Sequence, residues 1–343
     1  MRRSTRLALA GLLLLLVLFG LYAAYWRIAA ARIADGIVAW QQSARARRID
    51  ASWRELHIGG FPFEFRVVLD NAELRDGRLR PAPELHLPVL TGTARVWGFA
   101  DWRLAAPKGL AAGLAGAESR HPTPLLTAQT ALGSASFAAQ GGGWLWLRLK
   151  HVVAEAGARI PIADADAWIT LPPAPPRTHT EPGFGLALDL RQLDLPGPPG
   201  ILGATIDELA ISAILEGTLP NGPLPQALAA WRDAGGTVEL DHLRLRWGGV
   251  GVTASGTLAL DQNLQPIAAF SGGIEGFRTI LSALVAAGRL GTEEAALAQI
   301  ALSALAKPGA DGKPQIRTAF TIQDGKMFLG PVQLGDAPRI EWK

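Results

Sequence analysis

Hydrophobic and polar positions fall into three successive patterns along this 343-residue chain. The first is a continuous apolar run over residues 7–26. It opens at Leu7, includes Leu14 and Phe19, closes on Tyr22, Tyr25 and Trp26, and carries no charge. About twenty helical residues at roughly 1.5 Å each cover roughly 30 Å, the hydrocarbon thickness of a bilayer. One membrane-spanning helix is therefore expected over 7–26, with residues 1–6 as a short tail. The second pattern, over 27–48, has a helical period. Ile33, Ile37 and Trp40 recur at spacings of four and three, which places them on one face. This predicts a juxtamembrane helix. Its stripe could touch lipid headgroups, but packing as a stalk on the first strands is favoured, since any stripe of this width can serve as a core face.

From residue 49 the period becomes two. Phe61, Phe63, Phe65 and Val67 alternate with Pro62, Glu64 and Arg66, the pattern of a half-buried strand. Pro62 cannot donate to a ladder and belongs at the strand start or on an edge. Further strands are expected at 72–74, 84–87, 93–97, 100–104, 135–139, 145–154, 166–171, 184–190, 206–215, 237–247, 250–260, 265–271, 315–323 and 326–329. The small-residue stretch 111–124 reads as a loop. Val238, Leu240, Leu243 and Leu245 slip one step near His242, which predicts a bulge or turn there. Asp324-Gly325 is a hairpin turn.

Three short helices interrupt the strands. Residues 223–234 carry Leu224, Leu228 and Trp231 on one face, with Gly235-Gly236 as the stop. Helices are also expected over 277–289 and 292–307. The latter has Thr292 as N-cap, Glu293 and Glu294 in its first turn, and Leu297, Ile300, Ala301, Ala304 and Leu305 as its buried face. The proline cluster at 172–176 either divides two halves, with a sub-boundary at 172–183, or crosses within one sheet. The class is α+β: an N-terminal transmembrane helix, then a predominantly antiparallel, curved β-sheet domain over 49–343 with a few packed helices.

Composition narrows the function. Hydrophobic residues are 49% and charged residues 18%, too apolar for a disordered chain. The net charge is +3, with arginines scattered rather than forming a basic stripe among aromatics, which argues against nucleic acid. Cysteine is absent, so disulfides, thiolate metal sites and cysteine nucleophiles are excluded. A cleaved signal has an apolar core of about 7–15 residues and a small-residue cleavage site. Here the core is longer, and Tyr25, Trp26, Arg27 and Ile28 occupy the cleavage region. An uncleaved anchor is expected, ahead of a cleaved signal or a buried core helix. Arg2, Arg3 and Arg6 favour a cytoplasmic N-terminus, although Arg27, Arg32, Arg45, Arg47 and Arg48 crowd the other flank. Long domains translocate largely regardless of charge. The expected placement is a single-pass bacterial inner-membrane protein with its bulk in the periplasm.

No catalytic constellation emerges. His57, His86, His121, His151, His179 and His242 lie in different segments without metal-ligand spacing. A nucleophile elbow is missing. The segment from Gly309 to Lys313 has glycines too close together for a phosphate loop, and Pro314 stands where Ser or Thr is needed. Gly249 and Gly251 lack a third glycine. Asp164 and Asp166 are paired carboxylates, expected to be solvated on a strand edge. No catalytic, cofactor-binding or metal-binding residue is assigned, and the chain is not expected to be an enzyme. Of the eleven tryptophans, Trp97, Trp102, Trp144, Trp146 and Trp168 fall in strand signals. Core packing is the favoured explanation, with an apolar cleft for acyl chains or a membrane-facing rim as the functional alternative.

The order of pieces is itself informative. Gly60, Phe61, Pro62, Phe63, Glu64 and Phe65 run consecutively after the stalk, and a Val96-Trp97 strand follows. Later come Ser255, Gly256, Thr257, Leu258, Ala259, Leu260 and Asp261, with Gln265-Pro266 four residues on. Together these resemble the DUF2125 family of uncharacterised alphaproteobacterial membrane-anchored proteins over nearly the whole chain. The ending at 324–332 resembles closing segments of that family and of the wider AsmA-like group. The DUF2125 resemblance carries over no activity and no functional residue. The AsmA-like resemblance implies an inner-membrane helix bearing a periplasmic sheet with an apolar groove, associated with lipid transport and envelope maintenance. This chain is much shorter than the bridging members of that group, which argues against spanning the envelope alone. The expectation is therefore a membrane-anchored protein that binds lipid or another apolar ligand on its sheet, or assists envelope lipid transport. The alternative is a structural or assembly protein offering a sheet edge, around 61–67, to a protein partner. A membrane-tethered hydrolase is the least favoured.

Overall fold

The computed structural model describes residues 2–115, 123–138, 141–155, 157–309 and 312–342. The parts of the expected features that fall at residues 1, 116–122 (with His121), 139–140, 156, 310–311 and 343 lie outside the described residues.

The apolar run and the stalk form one continuous helix, α1 (Arg2–Ala46). Its composition is rich in Ala and Leu, and it contains no proline to break it. Its most apolar 18-residue window has a mean hydropathy of 2.1 and is 6% buried, so by length and composition it can cross a membrane. Leu14, Phe19 and Tyr25 are exposed on it. Further on, Trp26 and Ala30 are buried and pack with Ala29 and Ile33 against Phe65, Val96 and Ile58. The stripe continues through Gln41, whose side-chain amide donates to the Ala51 carbonyl at 2.7 Å, to fully buried Ala44. Trp40 lies outside this stripe and is 46% exposed, so the expected face of Ile33, Ile37 and Trp40 is only partly a packing face.

Behind α1 the chain forms β1 (Ile49–Ser52), β2 (Glu55–Gly59), β3 (Glu64–Asp76), β4 (Leu79–Arg80), β5 (Ala82–Arg95) and β6 (Gly98–Ala106). Next come β7 (Leu110–Ala115), β8 (Thr123–Phe137), β9 (Gly143–Glu155), β10 (Arg159–Leu171), β11 (Pro182–Asp194) and β12 (Thr205–Glu216). After β13 (Gly222–Pro223) and α2 (Leu224–Asp233) follow β14 (Val238–Trp247), β15 (Val250–Leu260) and β16 (Pro266–Glu275). The chain ends with α3 (Phe277–Ala286), α4 (Thr292–Leu305), β17 (Lys307–Pro308), β18 (Pro314–Gln323), β19 (Lys326–Leu329) and β20 (Val332–Asp336).

Among the described residues eighteen strands form one sheet, and β4 pairs with β13 apart from it. Chain order is sheet order: β2, β3 and β5 lead through β6 and β7 to β8, then through β9, β10, β11, β12, β14, β15, β16 and β18 to β19 and β20. Every pairing in this sheet is antiparallel, as short connections between consecutive strands allow. The architecture is α+β. The proline cluster at 172–176 lies between β10 and β11, which pair directly from Ile162 opposite Leu193 to Thr170 opposite Gly185.

Several strands are longer than their alternation predicts, for a local reason. Asn71, His151 and Gln192 sit inside β3, β9 and β11 with φ of 53°, 49° and 51°. At each of them the apolar phase steps by one: Leu69 to Ala72, Leu149 to Val152, Leu190 to Leu193. The shifted residues still meet, because Leu149, Val152, Ile162, Ala165 and Leu193 belong to one buried cluster with Ala72 and Leu87. That core contains no helix residue. The sheet therefore curls over its own apolar face there, as large twisted sheets do.

Five other expectations are corrected. The alternation of Phe61 and Phe63 is not a strand: residues 61–63 form a turn, and β3 begins at Glu64. Phe61 is taken by α1 instead, against Phe19, Tyr22 and Trp26. Trp97 lies in the hairpin turn between β5 and β6 and is 70% exposed. Of the expected loop, residues 111–115 belong to strand β7, which pairs with β5 and β8, and residues 123–124 open β8. On α4 the N-cap is Gly291, whose N–H donates to Glu294, and Leu297, Ile300 and Leu305 face outward.

Candidate functional site

Residues directly opposite one another in a sheet share a face, so the register can be followed across the molecule. Starting beside α1, Val67 faces Gly92, and the row continues through Leu104, Gly133, Leu147, Ala167, Leu188, Ile211, Leu243, Ala254 and Gly272 to Thr318. No charged side chain interrupts it. One step along the strands on the same face, Ala135, Leu145, Ile169, Leu186, Ala213, Leu240, Gly256, Phe270 and Phe320 form a second row. One step the other way, Ala131, Leu149, Ala165, Leu190, Leu209, Leu245, Val252, Ile274 and Ile316 form a third. Strands lie about 4.8 Å apart, so eleven steps from β3 to β18 make an apolar floor, a band roughly 50 Å long around the curled sheet, with Val67, Ala131, Ala135, Leu149 and Ala165 buried within it.

Two helices border this floor. On one side α1 covers the face of β2 and β3: Trp26 stacks on Phe65, with ring centroids 5.3 Å apart. On the other, Leu224, Leu228 and Trp231 of α2 pack on Leu215, Val238 and Leu260, and the Trp231 indole N–H donates to the Glu216 carbonyl at 2.7 Å. Between them Leu147, Leu186, Leu188, Ile211 and Leu243 are half-buried. The membrane-length helix is therefore one wall of an apolar trough.

The opposite face carries the charged side chains, together with Leu132, Trp144, Trp146 and Trp168. Lys150, Asp164, Arg191, Glu208 and Arg246 stand opposite one another in turn, an alternation of sign that suits adjacent strands. Asp166 is not the solvated carboxylate expected. It is 5% exposed and accepts two hydrogen bonds from Arg148, at 2.8 and 3.1 Å. The Arg148 guanidinium lies 5.2 Å from the Trp146 ring, as a cation does over an aromatic face. Asp164 fits the expectation better, exposed and 4.0 Å from Lys150.

At the end of β3 the Asp76 carboxyl is held below its ordinary range, chiefly by the hydrogen bond from the Arg78 side chain. Glu55, His57 and Asp70 gather at the β2 edge with ligand atoms within 4.8 Å of one another. His57 and Glu55 there are exposed and already bonded to each other at 2.9 Å. A depression of about 650 Å³ on the charged face is lined by Asp241, His242, Arg244, Ser255, Ser271 and Arg317. Among the described residues no hydrogen bond joins His242 to either serine.

The motif residues now have places. Gly60 has φ 101°, and a Cβ there would sit 2.6 Å from the Glu64 carbonyl oxygen. The Pro62 carbonyl accepts from Tyr22, and the Glu64 carbonyl accepts from the Trp26 indole. Phe65 is fully buried, whereas Phe63 is 72% exposed. Gly256, at φ 152°, leaves no room for a Cβ, which would meet the Ala269 oxygen at 2.1 Å. One Asp261 carboxylate oxygen accepts from the backbone N–H groups of Asn263 and Gln265, and Pro266 opens β16. These residues shape turns and the α1 junction, while Ser255 faces the polar depression. Leu7 lies within α1. The apolar rows themselves were missed by sequence reasoning, because their alignment depends on register between strands.

Fold and surface together define a class: an open two-faced antiparallel sheet bearing a membrane-length helix on its first strands. The chain belongs to the DUF2125 family, described as an uncharacterized protein conserved in bacteria, whose family model matches residues 26–338. No curated protein and no solved structure matches it.

Proposed function

We propose that this is a single-pass membrane protein whose apolar sheet face holds the acyl chains of lipid. The observation that carries the reading is the row from Val67 to Gly272, uninterrupted by charge and bordered by the helix that would cross the bilayer. Leaving apolar surface in water costs about 25 cal/mol per Å², and an apolar band this long usually marks a binding site. A lipid leaving the bilayer along α1 would pass the packed Trp26–Phe65 junction and reach the floor beyond it. N-terminal Arg2, Arg3 and Arg6 support a cytoplasmic tail with the sheet on the far side, periplasmic in a bacterium with two membranes. The resemblance of residues 324–332 to the AsmA-like group would agree with a role in envelope lipid handling.

Quantitative lipid mass spectrometry of the full chain tests this, comparing wild type with an Ile211→Asp variant. Lipids bound around α1 are common to both. The reading predicts fewer bound lipids in the variant; equal numbers in two folded proteins would contradict it.

A second reading, edge pairing with a protein partner, is favoured by a different place from the one expected. At 64–67, β3 is paired with β5, and with β2 from Arg66 onward. Among the described residues β2 is paired only with β3 and β20 only with β19, and on β20 Val332 and Leu334 are 59% and 54% exposed. Such an edge can accept a strand. Photo-crosslinking from Leu334 in cells would trap a protein under this reading, and only solvent or lipid under the first.

A further inference from the structure

The trough shares one end with a second apolar feature. Tyr22, Tyr25 and Trp26 close the apolar run of α1, where aromatic residues mark the interface of a bilayer. That level is fastened to the sheet: Tyr22 donates to the Pro62 carbonyl, Trp26 donates to the Glu64 carbonyl at 3.2 Å, and Phe61 packs on both rings. The turn at 60–63 is thus held at the height where α1 leaves the membrane.

Register carries this height sideways. Glu64 pairs with Arg95, next to the turn holding Trp97. Phe99 stacks on Phe65 at 5.4 Å. Asp101 pairs with Ser136, Phe137 with Gly143, and Gly143 with Leu171. At these ends the exposed side chains are Phe63, Trp97, Phe99, Phe137, Trp144 and Leu171, with exposures of 72%, 70%, 45%, 56%, 44% and 50%. At the other end of the same strands, the turn after β6 carries exposed Pro107 and Lys108, and the large apolar groups exposed there are Leu114 and Leu125, at 42% each. Large apolar groups therefore gather at the end where α1 emerges.

We infer that this rim, from Phe63 to Leu171, rests in the headgroup region of the same bilayer that α1 spans. The rim covers β3, β5, β6, β8, β9 and β10, about 24 Å at roughly 4.8 Å per strand. Sheet twist lifts the later strands away, so immersion is deepest at Phe63 and Trp97 and declines toward Leu171. Aromatic side chains suit this position, with an apolar body and, in Trp, a polar N–H. The rim stands the sheet on the membrane, so that the trough opens at lipid level rather than above it. The inference rests on reading α1 as membrane-spanning, and its test separates the two.

The chain has no cysteine, so one introduced cysteine takes one nitroxide label. Phe63→Cys, Trp97→Cys, Lys108→Cys and Leu14→Cys would each be made in the full chain. Each protein is reconstituted in vesicles of phosphatidylcholine and phosphatidylglycerol. Accessibility to oxygen and to a water-soluble nickel chelate is then read by power saturation. The rim predicts shallow immersion at 63 and 97, with chelate access several-fold below that at 108, and deep immersion at 14. Chelate access at 63 and 97 equal to that at 108, with 14 still immersed, overturns the rim and leaves the span intact. Exclusion of both reagents from 63 and 97 also overturns it, since a protein surface would then cover the rim. A label at 14 open to the chelate overturns the spanning helix and the rim together.

Discussion

Trp26 of α1 stacks on Phe65 of β3, with ring centroids 5.3 Å apart and planes 16° from parallel. The pair joins two apolar surfaces: a helix long and apolar enough to cross a membrane, and a sheet floor with no charged side chain. Phe65 is fully buried and Trp26 is 9% exposed, so the junction is a packed core. Phe65→Ala should destabilise the sheet by about 3–5 kcal/mol. A double-mutant cycle with Trp26→Ala should return a coupling of about 0.5–1.5 kcal/mol. Denaturant unfolding in detergent measures both, and additive effects would mean that helix and sheet are merely adjacent.

Lipid should act as a stabilising ligand of the floor. Anything bound only by the folded state raises the melting temperature with its concentration. The wild-type chain should therefore melt higher as lipid is added to detergent micelles. Leu188→Asp, in the central row beside Ile211, should lose most of that rise while still folding, because Leu188 is only half-buried.

Arg148→Ala should lower stability by leaving the Asp166 carboxylate without its partner. Lysine cannot reproduce the two-pronged bond, so Arg148→Lys should recover only part of the loss. Thermal unfolding of the three proteins gives the ranking.

The Asp76–Arg78 pair predicts a pH signature. The Asp76 carboxyl is depressed in the folded chain by its bond to Arg78. Its contribution is present above the unfolded carboxyl's ordinary value and is lost as pH falls through the lower folded one. The pair is partly exposed, so the amount is below about 1 kcal/mol. The stability difference between wild type and Arg78→Ala should be constant above about pH 5 and shrink below about pH 4. A difference that grows on acidification would contradict this.

Gly256→Ala should be strongly destabilising, because its Cβ would stand 2.1 Å from the Ala269 oxygen in an already glycine-specific conformation. Ser255→Ala, at an exposed neighbour, should change stability by less than about 0.5 kcal/mol. Unfolding curves for the two variants separate them.

Where local pattern and tertiary environment agree, the chain was readable. The phase slip at His242 is a bulge between Leu240 and Leu243; Leu224, Leu228 and Trp231 do face the core; Asp324-Gly325 does turn a hairpin. Misreadings arose where another element decided the outcome. Phe61 alternates with Phe65 but is claimed by α1. Asn71, His151 and Gln192 shift the phase inside continuous strands, so a strict period of two cuts those strands short. Leu297 and Ile300 carry helical spacing, yet their helix leaves them exposed. For the candidate site, each strand's apolar content was visible, but the rows were not: they exist only once register sets Leu147 opposite Ala167 and Leu188 opposite Ile211. Asp166 was misjudged for the same reason, since Arg148 is its neighbour across strands rather than along the chain.

The central claim is that the apolar face holds acyl chains. A photoreactive diazirine residue placed at Ile211, and separately at Ala210 on the opposite face of the same strand, tests it most directly in native membranes. The account predicts lipid adducts from position 211 and few from 210. Equal lipid labelling from both faces, or none from 211, would contradict it.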